Sequence, residues 1–212
     1  VFGLDEKIAS LASAEPLAAL AIALLLGLRH PLDPDHLAAV GAMARHSRGG
    51  SAQIGLAWGA GHASTVLALG VPLALWTAAL PEGAQRAAEA LVGTVVFALG
   101  LRLLIRHARG EAHPHPHRPP RSLREAYAVG VVHGAGGSAG VGLLIIAAIP
   151  DQGIALAGLA VFAASTTLAM GAVAAGLGRA LGSLPARPVG AFVCAFGLWY
   201  LCAAAVGAPY PL

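Results

Sequence analysis

Arg29-His-Pro-Leu-Asp-Pro-Asp-His36 interrupts a stretch that otherwise reads as a membrane-spanning helix. From Pro16 to Met43 the chain is long and apolar enough to cross a bilayer, where about 20 residues suffice. Near the middle of that stretch stand Arg29, His30, Asp33, Asp35 and His36. A charge there costs roughly 3 kcal/mol or more. Pro31 and Pro34 lack amide donors, so the helical hydrogen-bond ladder must open between them. Irregular backbone at that depth is tolerated only where it is buried in protein or lines a polar cavity. Two imidazoles and two carboxylates at such a break are the groups a divalent metal takes.

The rest of the chain supplies the membrane setting. It is 57% hydrophobic and 11% charged, with a mean hydropathy of +0.74. These values mark an all-α, polytopic membrane protein. The 212 residues suit one transmembrane domain, 1–212, of six spans with short loops and no soluble domain. Residue 1 is Val, so a start Met or a processed leader is expected to precede it. Residues 1–14 put Leu4, Ile8 and Leu11 on one face, as in a helix lying on the membrane surface. The spans are expected at about 16–43, 53–76, 90–105, 125–149, 154–177 and 189–206, with a turn over 81–89. Residues 106–124 form a long loop rich in His and Pro, with His113, His115 and His117 suited either to loose metal capture or to a plain linker. His46 and His107 read as ordinary interfacial residues. Cys194 and Cys202 share the last span and read as small packing thiols.

Nine arginines lie in the loops after spans one, three and five, against only Lys7 and Arg86 on the other side. Both termini are therefore expected outside and the His-rich loop inside. An internal repeat accompanies this pattern. His62-Ala-Ser-Thr-Val-Leu-Ala-Leu-Gly70 matches Ala163-Ala-Ser-Thr-Thr-Leu-Ala-Met-Gly171 at six of nine positions. Gly27-Leu-Arg-His30 pairs with Gly130-Val-Val-His133, and Gly93 and Gly100 pair with Gly190 and Gly197. Two three-span repeats, about 16–107 and 125–206, must be inverted relative to one another because three is odd. Secondary transporters are often built this way, with the binding site at the midplane. Counting from the inner loops, His36, His62 and His133 all reach roughly 14–16 Å at ~1.5 Å per residue, the middle of the bilayer.

On an unbroken helix His30, Asp33 and His36 would form one stripe and Asp35 would face away, but two prolines unsettle that register. The alternative role for Asp35 is an ion pair with Arg29. Gly59 and Gly61 would bring a neighbouring helix against His62, which could otherwise be a core histidine bonded to a carbonyl. His133 opens His-Gly-Ala-Gly-Gly-Ser138, a second flexible break. Ser138 occupies the repeat position of Asp35, so the site should lean towards the first repeat. The candidate metal ligands are thus His30, Asp33, Asp35, His36, His62 and His133.

His30-Pro-Leu-Asp-Pro-Asp35-His36, a His followed after four residues by Asp-His, resembles the signature of the nickel/cobalt transporter family. The following Leu-Ala-Ala-Val, and Gly61-His62-Ala-Ser, are similar to that family too. Val132-His-Gly-Ala-Gly-Gly-Ser-Ala resembles its short, urease-accessory-type nickel permease branch. The resemblance implies a permease for Ni²⁺ or Co²⁺ in which His30, Asp35 and His36 are needed for transport. Longer members carry eight spans and an acidic motif in a later span, whereas the corresponding region here, residues 164–170, has no carboxylate.

The expected function is a secondary transporter moving a transition-metal dication, foremost Ni²⁺, across a bacterial plasma membrane. Its expected partners are the metal ion, the bilayer and a cytoplasmic metal acceptor. No resident cofactor, nucleic acid or enzymatic activity is expected. A phosphate-binding loop is absent from the sequence, so this chain does not itself use ATP. An efflux protein with the same site is the alternative. A thiol–disulfide relay would need Cys in spans one and four, and an intramembrane metalloprotease lacks its His-Glu-x-x-His.

Overall fold

The computed structural model describes residues 16–44, 50–76, 81–109, 122–136, 149–181 and 184–206. Its first span breaks where the prolines require. Helix α1 (Pro16–Arg29) runs into a 3-10 turn, His30–Leu32, and helix α2 (Pro34–Ala44) follows. Asp33 between them is extended, with φ −65° and ψ 146°, the conformation that a following proline imposes. Pro34 then takes the first helical position, where an amide would have had no partner. The Asp33 carbonyl starts α2 by accepting from the Leu37 amide at 3.0 Å. The two halves are bent by 54°.

The other described elements are α3 (Ser51–Trp76), α4 (Glu82–Ala108), α5 (Leu123–His133), α6 (Gln152–Leu181) and α7 (Ala186–Val206). All regular structure among the described residues is helical, and α3, α4, α6 and α7 are long and apolar enough to cross a membrane. Taken together as one broken span, the bent α1–α2 pair would bring these candidates to five. Of the expected fourth span, 125–149, α5 and Ile149 are described, and residues 137–148, with Ser138, lie outside the described residues. So do the expected surface helix at 1–14, His46 and the His-rich stretch 110–121.

Several helices extend beyond the expected bounds, α6 to Leu181 among them, and two of the shifts have a local cause. The turn placed over 81–89 is only Pro81, because Glu82 already begins α4. The Ala-rich run after it favours helix enough to outweigh its polar residues. Span six begins at Ala186 rather than 189, since Pro188 falls within the first turn, where a missing amide is harmless. Helix α5 starts on a capping box, Ser122-Leu-Arg-Glu125, in which the Ser122 hydroxyl accepts from the Glu125 amide at 3.1 Å.

Small residues set the packing, as they must where lipid removes the hydrophobic drive between helices. Helix α3 lies against α5 and α6, α1 against α6, and α4 against α7. A Cβ on Gly61 would strike the Tyr127 carbonyl, one on Gly130 the Trp58 carbonyl, and one on Gly27 Ser165 and Phe162. Between α4 and α7 the contacts are reciprocal: Gly93 faces Leu201 while Gly190 faces Leu104, and Gly100 faces Cys194 while Gly197 faces Phe97. The Cys194 thiol points at the Phe97 carbonyl, 3.7 Å away. Cys202 is exposed, so it is not the packing thiol expected.

Two apolar clusters result. One gathers Ala39, Val40 and Met43 of α2 with Trp58, Val96, Met170 and Tyr200. The other joins Ala19 and Ala23 of α1 to Val66, Leu159 and Phe162. Along α3 the two clusters are separated at His62, and the polar residues lie between them.

Candidate metal centre

Four polar side chains from three helices, Asp35, His36, His62 and His133, are completely buried, and His30 and Asp33 are each only 4% exposed. Each is delivered by a local feature already described. The 3-10 turn carries His30, and the first turn of α2 carries Asp35 and His36. A carboxylate there gains from the helix N-terminus. Gly59 and Gly61 let α6 and α5 respectively close on α3 beside His62, and His133 ends α5 where Gly134 stops the helix.

The rings meet. His36 lies at the centre, 4.3 Å from His30, 5.4 Å from His62 and 4.5 Å from His133 between ring centroids. His30 Nε2 and His62 Nε2 are 2.9 Å apart. His36 Nδ1 and His133 Nε2 each donate to one oxygen of Asp35, both at 3.1 Å. Donation from those nitrogens leaves a neutral imidazole with its lone pair on the other one. His36 Nε2 and His133 Nδ1 have no hydrogen-bond partner among the described residues, and neither has His62 Nδ1. Buried polar atoms left unpaired cost free energy unless a water or an ion satisfies them, so three of them in one layer mark it as a candidate binding site.

The donor atoms fall into two groups of three: His30, His36 and His62, and Asp35, His36 and His133. Within each group they lie within 4.8 Å of one another. Metal–nitrogen bonds of about 2.1 Å put opposed donors about 4.2 Å apart, so small side-chain adjustments would close either group on an ion.

The alternative pairing of Asp35 with Arg29 does not occur. Arg29 instead approaches Asp33 at 3.7 Å, and His30 Nδ1 lies 3.4 Å from the same carboxylate. The extended Asp33 backbone starts a new helical register, and Asp35 turns inward with it. Asp33 thus stands beside His30 and outside both donor groups. Trp58 had drawn no notice in the sequence. Its ring lies 5.3 Å from His36 and 5.6 Å from His133, an apolar wall between the site and the core. The signal was present: Trp58 precedes His62 by four residues and so shares its face.

No protein-family model and no solved structure matches the chain. It is similar to the urease accessory protein UreH of Bacillus sp. (strain TB-90), with 27% identity over 73% of each chain. That relative bears out the resemblance to the urease-accessory branch.

Proposed function

We propose that this chain is a six-span secondary permease for Ni²⁺, with Co²⁺ as its close substitute, in a bacterial plasma membrane. His30, Asp35, His36, His62 and His133 bind the ion, and Asp33 orients His30. The observation that carries the reading is the meeting of four imidazoles and a carboxylate from three helices in one buried layer. Imidazole suits nickel and cobalt, and carboxylate offsets the ion's charge. A core histidine would satisfy both of its nitrogens, and three of these rings do not among the described residues. Similarity to a urease accessory protein favours nickel over cobalt.

Two inverted three-span repeats account for the packing. Exchanging span one with four, two with five and three with six maps the α1–α6 contact onto the α5–α3 contact and returns α3–α6 and α4–α7 to themselves. The reciprocal glycine contacts of α4 and α7 follow the same exchange. Relative motion of the helices around the layer would open it to each side in turn, with both termini outside and a cytoplasmic acceptor receiving the ion.

The test is radioactive Ni²⁺ accumulation by cells expressing the wild type or His36→Ala. The variant should reach the membrane in normal amount and accumulate no metal above background. Unchanged accumulation would refute the site. Direction is read from the same cells: an importer raises their nickel content, whereas an exporter lowers it.

A further inference from the structure

We infer that the layer holds one dication in two alternative positions on opposite sides of the His36 ring, between which the ion steps during transport. This rests on the permease reading above and adds to it the path of the ion through the site.

The first position is bounded by His30, His62 and His36, the second by Asp35, His133 and His36. His36 belongs to both groups and has a nitrogen for each. Its Nδ1 already faces Asp35 at 3.1 Å, and its Nε2 has no partner among the described residues. In the first position Nε2 joins His30 and His62, whose Nε2 atoms are 2.9 Å apart. In the second, the ion takes the place of the protons that His36 and His133 share with Asp35, and each ring stays neutral by carrying its single proton on the opposite nitrogen, Nε2 of His36 and Nδ1 of His133.

Charge decides between one ion and two. Asp33 and Asp35 are the buried carboxylates among the described residues; Arg29 already offsets part of the Asp33 charge, so together they balance at most one dication. A second dication would leave two positive charges uncompensated in a layer closed to water, where such charge is expensive. Simultaneous occupancy would also require His36 to lose its last proton. One ion in two places needs neither. The ligand chemistry differs across the ring: three imidazoles on one side, two imidazoles and a carboxylate on the other. Two positions that share the His36 ring let an ion step onward without being trapped, which conduction through consecutive sites requires.

The experiment uses the full chain in detergent, loaded with Ni²⁺, and counts bound metal while X-ray absorption reports the ligand shell. Wild type should bind one Ni²⁺ per chain. His62→Ala should keep one Ni²⁺ in a shell of two imidazoles and a carboxylate, and His133→Ala one in a shell of three imidazoles. Both should lose at least tenfold in uptake although they still bind. His62→Asn and His133→Asn, closer in volume, take their place if the alanine variants do not stay folded. Two ions per wild-type chain, identical shells in the two variants, or wild-type uptake by either would overturn the inference and leave the permease reading standing. Absence of nickel binding by the wild type would overturn both.

Discussion

Gly134→Ala isolates the steric requirement of the centre from its chemistry. Gly134 has φ −69° and ψ −11°, a right-handed conformation that alanine adopts freely, so the backbone itself raises no objection. A Cβ at this position would lie 2.6 Å from the His62 carbonyl oxygen and 3.1 Å from the His62 Cα, where ordinary contact begins at 3.4 Å. The oxygen belongs to helix backbone and cannot swing aside. Helices α3 and α5 must therefore part by about 0.8 Å, the difference between 3.4 and 2.6 Å. Overpacking of this kind costs about 1–3 kcal/mol. The larger effect falls on the metal, because the displaced segments carry His62 and His133 themselves. Ligand distances are held to about ±0.2 Å in working sites, and even supporting substitutions lower affinity about 10- to 100-fold. Nickel affinity measured by competition should fall within or beyond that range, with uptake falling alongside it. Gly176→Ala is the control: its Cβ meets nothing within 4 Å, and loss of a helical glycine should stabilise by up to about 1 kcal/mol. Equal melting temperatures and equal nickel affinities for Gly134→Ala and Gly176→Ala would refute the argument.

Two further outcomes follow from the same geometry. Asp35→Asn keeps the shape of the side chain but removes the charge that offsets the ion; nickel affinity should drop at least tenfold with the protein still folded, as equilibrium binding and circular dichroism would report. Protons compete with metal for imidazole nitrogens, so nickel affinity should weaken steadily as the pH is lowered, and a pH-independent titration would contradict histidine ligation.

Much of the centre was legible because its cost was legible. His30, Asp33, Asp35 and His36 stood out against an apolar background, and counting residues from the inner loops brought His36, His62 and His133 to one depth, where their rings do meet. What could not be read was orientation. Periodicity on an unbroken helix turned Asp35 away, and only the extended Asp33 backbone resets the register so that Asp35 reaches His133. Arg29 could have paired with either acid by spacing alone, and it approaches Asp33. The ends of α4 and α7 were misplaced for a related reason: polar residues and a proline suggested loop, while Ala-rich sequence and a tolerant first turn kept the chain helical.

The glycine contacts gather the described helices into two bodies, which also touch where Gly136 meets Ala88 of α4 and where Arg102 pairs with Glu125 of α5. One is the pair α4 and α7, locked face to face at backbone distance. The other is α1, α3, α5 and α6, locked in the same way. Short α2 packs on both, touching α4 and α7 on one side and α3 and α6 on the other. Asp35 and His36 therefore ride on the bridging piece, while His62 and His133 are fixed to one of the bodies. A small tilt of α2 about its hinge at Asp33 would change the gap between His36 and its partners without breaking a helical hydrogen bond. On the proposed function, an ion held between His36 and the histidines of α3 and α5 would tie α2 to the larger body as a latch.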